Sequence, residues 1–335
     1  MKRIITVILS LAASLVVMAQ VRITTPETEL IIKADKGADL QILYFGARLS
    51  DADAANIEAA GVPGHSAYRA YGLWCASEAS LGVTHADGNL STSLKVESVM
   101  QSDVIDNSIV TKVVMKDAVY PFYVTVCYRA YQDVDMIETW TEIANLGKKP
   151  VTLTRFDSGY LPVRVGDVWL SHLHGTWAAE GLLVQEPLQR GMKVIKNKDG
   201  SRNSHTDHAE VMFSLDGKPQ ENTGRVIGAA LCYSGNYELR IDTRDTDYHE
   251  FYAGINPDNS SYKLESKEVF MTPELAFTYS DEGLSGASRN FHKWGRTYKL
   301  AHGDKLRKIL LNSWEGVYFD INEPGMDQMM ADIAS

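Results

Sequence analysis

Over residues 22–280 apolar and polar side chains alternate with period two. In "FYVTVCYRAY" Phe122, Val124, Val126 and Tyr128 point one way, and Tyr123, Thr125, Cys127 and Arg129 point the other. "YELRIDT" repeats the pattern, setting Tyr237, Leu239 and Ile241 against Glu238, Arg240 and Asp242. Similar runs occupy 94–97, 109–115, 151–156 and 227–233, and many are followed by turn formers: "HADGN", "NLGKKP", "LDGKPQ", "YSGN" and "NPDNS". Alternation is the signature of strands with one covered face, and Gly, Asn, Asp and Pro close the hairpins between them. An antiparallel, mainly β body is therefore predicted. It is far larger than a ~100-residue sandwich, and no Pro/Ser/Gly linker divides it. Two large stacked sheets are expected.

The period then changes. In "LSGASRNFHKWGRTYKL" Leu284, Ala287, Phe291, Trp294 and Tyr298 step by three and four, one stripe of an amphipathic helix. Arg289, Lys293, Arg296 and Lys299 occupy its other faces, and "AHGD" is expected to end it at Gly303. Next, Ile309, Leu310 and Leu311 form an unbroken apolar run, as in a parallel strand covered on both faces. After a loop, Pro324 sits where a first helical turn begins, and Met326, Met329, Met330 and Ile333 follow at helical spacing. Strand, loop and helix match the first βα unit of a (β/α)₈ barrel, which takes ~250 residues. The sequence is therefore expected to be a fragment. The expected divisions are a signal peptide at 1–19, the large β domain at 20–282, a connector helix and linker at 283–305, and the start of a truncated barrel at 306–335.

The signal peptide is predicted from Lys2 and Arg3, the apolar run after them, and the small-residue pattern of Val17 and Ala19 before Gln20. Ser10 and Ser14 interrupt a run already short of the roughly 20 residues a membrane span needs. The mature chain is thus expected to be exported, periplasmic or secreted, with no membrane attachment after cleavage near Ala19–Gln20. Cleavage removes two cations and no acid, taking the net charge from −10 to −12. So acidic a chain repels phosphate backbones, which excludes nucleic acid as a partner. Cys75, Cys127 and Cys232 are odd in number and widely spaced, neither a disulfide framework nor a zinc pattern. They are expected to be buried small hydrophobes.

"LLNSWEGVYFDINE" resembles the N-x-W-E-A-x-Y-F-D-x-N-E motif on the first barrel strand of glycoside hydrolase family 36, the retaining α-galactosidases. "DVDMIETWTEIANLGKKPVTLTRFDSGYL" is similar to that family's D-x-I-E-x-W-x-E-I-x-N-x-G segment. "HLHGTWAAEG", "GSRNSHTDH", "LCYSGNYELRI", "AGINP" and "FMTPELAFTYSDEGLSGASRNFHKWGR" resemble its other N-terminal landmarks, in the same order. The resemblance implies an N-terminal antiparallel β-supersandwich of the galactose-mutarotase-like kind, a connecting helix and a catalytic barrel acting on terminal α-linked galactose in oligosaccharides, with no cofactor. Cys75 stands where many relatives carry the aspartate of Y-G-x-x-D-F-R, and the loop over 50–65 differs from the one that covers a neighbouring subunit's site. A homo-oligomer stays open.

The family's two catalytic aspartates lie on later barrel strands, the nucleophile in a K-W-D motif. In "HKWGR" glycine follows Trp294, so no catalytic residue is expected in this chain, and the isolated polypeptide is expected to be inactive. The resemblance assigns a substrate contact to Trp314 at the end of the first barrel strand, and beside it Glu315 is read as binding a sugar hydroxyl or holding the loop. A flat indole packs on the apolar face of a sugar, and its N–H can donate to a hydroxyl. Asp320 and Glu323 are read as a loop hydrogen-bonder and a favourable charge at a helix N-terminus, and Asn312 as a backbone tie. His205, His208 and Glu210 form H-x-x-H-x-E, whose spacing matches no ligand signature, so no metal is expected. Two other classes stay open. One is an aldose-mutarotase-like epimerase using His172, His174 and Glu180 as acid and base. The other is a non-catalytic carbohydrate-binding or assembly module with Trp74, Trp140 and Trp177 as platforms.

Overall fold

The computed structural model describes residues 20–59, 64–72, 77–200, 206–245 and 247–334. The expected signal peptide, Trp74, Cys75 and His205 lie outside these residues. Among them, the fold is mainly antiparallel β, in three sheets. The largest has nine strands in the order Ala179–Pro187, Trp169–Thr176, Asp207–Ser214, Val226–Leu231, Leu275–Ser280, Ile137–Asn145, Phe122–Tyr131, Ser108–Asp117 and Leu94–Gln101. A tenth strand, Glu268–Met271, pairs beside Ile137–Asn145. A six-stranded sheet runs Gly191–Lys196, Tyr237–Asp245, Tyr248–Ile255, Val151–Val163 and Tyr262–Leu264, with Leu81–Thr84 also on the long strand Val151–Val163. A small sheet joins Gln20–Thr24, Thr28–Lys33, Gln41–Ala47 and His65–Ser66.

The alternation explains this arrangement. Phe122, Val124, Val126 and Tyr128 are all at most 3 % exposed, as are Leu239, Ile241 and Phe251 from the six-stranded sheet. These inward faces share one core, with Phe213 of the large sheet packed edge-on against Phe251 of the other at a centroid distance of 5.2 Å. Phe45 of the small sheet meets Phe277 of the large one in the same way, at 5.0 Å. The cysteine expectation holds for Cys127, which is buried, and fails for Cys232, which is exposed just past the end of Val226–Leu231.

The chain forms two compact units, one ending at Trp294 and the other spanning Gly295–Ser335. The helix Gly283–Trp294 closes the first. Its buried stripe includes Ala287 and Trp294, and it packs on the strands Val226–Leu231 and Leu275–Ser280. Gly228 makes that contact possible: a Cβ there would stand 2.8 Å from Cε2 of Phe291. The Trp294 indole N–H donates to buried Glu138 at 3.2 Å. The α-helix stops at Trp294, earlier than the expected Gly303, and gives way to a π-helical turn at Gly295–Lys299. Gly303 instead belongs to a chain reversal so tight that a Cβ would collide with the Arg296 carbonyl.

The second unit corrects one expectation. Residues 305–312 form no strand, and Ile309 and Leu310 are 94 % and 87 % exposed. An apolar parallel strand needs neighbours on both edges and cover on both faces, and none of the described strands pairs with this run. The helix after it does form, at Glu323–Ala334. Asn322 caps it, its Oδ1 accepting from Gly325 N at 3.0 Å, and Pro324 lies in the first turn.

Candidate functional site

Trp314 opens a single helical turn, Trp314–Val317. Asn312 Oδ1 accepts from Trp314 N at 3.0 Å, so Asn312 ties down backbone there. Tyr318 N donates to the Trp314 carbonyl at 2.9 Å, with Tyr318 at φ +47°. The fold-back brings three rings together: Tyr318 and Phe319 meet Trp314 edge-on at centroid distances of 5.5 and 4.8 Å. Trp314 is 44 % exposed, and Glu315, Asp320 and Glu323 are exposed. Such a cluster can offer apolar and N–H contacts to a sugar. Breaking a glycosidic bond with retention also needs two carboxyls ~5–5.5 Å apart across the bond.

A second concentration of polar chemistry lies on the outward face of the six-stranded sheet. In register, Asp242, Glu250 and Pro162 lie in one row, and Arg240, Tyr252 and Tyr160 in the next. Glu250 is fully buried; its Oε1 accepts from Tyr248 at 2.8 Å and Tyr160 at 3.0 Å and pairs with Arg69 at 2.9 Å. His65 Nδ1 is 2.9 Å from the Tyr248 hydroxyl. Burial pushes the Glu250 carboxyl up, but Arg69 and the tyrosine bond hold it below the usual range. Nearby, Arg240 reaches Asp157 at 2.5 Å, Glu78 at 2.9 Å and Glu238 at 3.1 Å, with its guanidinium 4.8 Å from the centre of the Tyr252 ring. Asp157 is pushed up to about 6 by burial, against the opposing pull of Arg240 and Arg155. This network was missed in the sequence. Its only visible trace is the charge set between aromatics in "YHEFYAGI" and "YELRIDT". Two cavities, of about 260 and 180 Å³, lie elsewhere, one beside His85, Tyr120 and Lys149 and one beside Asp216, Thr223 and Arg225. The network is an internal anchor for residues 64–72 and 77–80, through Arg69 and Glu78.

His172 and His174 do share one side of a strand, their ring centres 6.5 Å apart. Their environments differ. His172 is buried, with Nε2 3.4 Å from Glu186, and burial together with Lys193 lowers its pKa. His174 is half exposed and pairs with Asp207 at 2.9 Å. Glu180 turns back to accept from Ala178 N at 3.0 Å. His208 sits 3.3 Å from Glu210. Among the described residues no three His, Cys, Asp or Glu side chains are placed to hold a metal ion. Trp140 is buried under the Arg129 guanidinium at 5.1 Å, a sandwich-supporting role, whereas Trp177 is 78 % exposed. Among the described residues no helix is long and apolar enough to cross a membrane.

Two family models match the chain in succession: the glycosyl hydrolase family 36 N-terminal domain over residues 38–265 and melibiase over 269–335. Alpha-galactosidase AgaA of Geobacillus stearothermophilus is 33 % identical over 215 residues, 63 % of this chain and 29 % of the relative. Alpha-galactosidase Mel36A of Lactobacillus acidophilus is 31 % identical over 213 residues, again 63 % and 29 %. In fold, the chain resembles the Lactobacillus brevis alpha-galactosidase with a TM-score of 0.81 at 22 % identity, covering 93 % of this chain and 46 % of that one. A variant of AgaA in complex with raffinose gives 0.83 at 24 % identity, covering 92 % and 48 %. The chain thus spans under a third of the curated relatives and about half of the solved ones.

Proposed function

The chain belongs to glycosyl hydrolase family 36, and from that premise we propose that it is the N-terminal part of an exported retaining α-galactosidase. The substrate is a terminal α-linked galactose of an oligosaccharide; the support is that raffinose is bound by an AgaA variant of similar fold. The observation that carries the reading is the succession of the two family models, in order, over 38–265 and 269–335. In this reading residues 1–19 direct export, 20–282 form the supersandwich, 283–305 connect, and 306–335 begin the catalytic barrel.

Within that frame Trp314 and Glu315 contact the sugar, the indole against its apolar face, and no described residue supplies the chemistry. Retention requires a nucleophile and a separate acid/base across the anomeric carbon. The buried pair Asp157 and Glu238 is spanned by Arg240 and Arg155, which occupy both carboxylates in ion pairs. The isolated chain therefore lacks turnover. Purified chain incubated with an aryl α-galactoside is expected to release the aryl group no faster than buffer, while the product of the coding sequence extended past Ser335 is expected to release it readily. Hydrolysis by the isolated chain, abolished by a substitution within it, would overturn the inactivity. An inert extended product would overturn the galactosidase assignment.

A further inference from the structure

We draw no further inference here: the strongest candidate, the apolar outer edge of the large sheet where Trp177, Leu182 and Leu183 stand exposed on the hairpin formed by Trp169–Thr176 and Ala179–Pro187, carries none because nothing in the structure shows what covers it.

Discussion

Glu250 receives three donors on one oxygen and is closed off from water, an arrangement that stabilises the carboxylate only while all its partners are present. Breaking a buried ion pair by removing one member costs about 3–5 kcal/mol, because the remaining charge is left uncompensated. Glu250→Gln keeps the volume and leaves Arg69 facing a neutral amide. Stability in urea is expected to fall by about 3 kcal/mol; a loss below about 1 kcal/mol would mean that Arg69 finds another partner or water at no cost. Asp157 makes a different prediction, because its proton is held more tightly in the folded chain than in the unfolded one. Its folded pKa of about 6 lies above the ordinary aspartate value of 3.8, so its share of stability is fully present below the unfolded value and is withdrawn as pH rises through the folded one. Asp157→Asn should therefore flatten the decline of unfolding free energy between about pH 4 and pH 6. Equal slopes in the two proteins across that window would show that Arg240 and Arg155 hold Asp157 ionised throughout.

At the scale of elements, the helix Gly283–Trp294 depends on a missing side chain. A methyl group at Gly228 would press on Phe291 at 2.8 Å, with Thr278 Cγ2 at 3.4 Å and Ala287 Cβ at 3.6 Å. Overpacking of this kind costs about 1–3 kcal/mol. Gly228→Ala should destabilise the chain by that amount, and Phe291→Leu should recover part of it, giving a favourable coupling in a double-mutant cycle. Strict additivity would indicate that the helix shifts as a body. Strands such as Phe122–Tyr131 and the stripe through Ala287 and Trp294 were legible because each has one covered face, which is what a polarity period records. The outward face of Tyr237–Asp245 was not. Glu238 and Arg240 alternate like solvated residues, yet both are under 9 % exposed. Arg240 meets Glu78 and the Ala79 carbonyl from a part of the chain distant in sequence, and Glu238 pairs with Arg155 and Arg240. Ile309–Leu311 misleads in the opposite sense. Apolarity there registers a demand for burial, and whether neighbouring strands meet it is a property of other residues. Trp314 was legible only through a motif, since neither its exposure nor its ring cluster has a periodic signature.

At the scale of the whole molecule, apolar burial is unequally divided. The first unit holds the shared core, with residues such as Leu153, Leu239, Phe251 and Phe277 at 0–1 % exposure. The second exposes Leu306, Ile309, Leu310 and Phe319, each at least 87 %. At roughly 25 cal/mol per Å² of apolar surface removed from water, cooperative stability follows burial, so the first unit is expected to unfold as one block on its own account. Lys305, Arg307 and Lys308 lie in exposed chain without regular structure, the geometry a protease requires. Brief trypsin treatment should cut there first and leave a resistant product reaching to about residue 300. That product should keep the parent's thermal midpoint to within about 2 °C, which for a domain of this size corresponds to roughly 1 kcal/mol. A larger drop would mean that residues beyond the cut contribute to the sandwich's stability. First cuts within the strands would mean that the long-range anchors at Glu250 and Arg240 fail to hold the sheets closed.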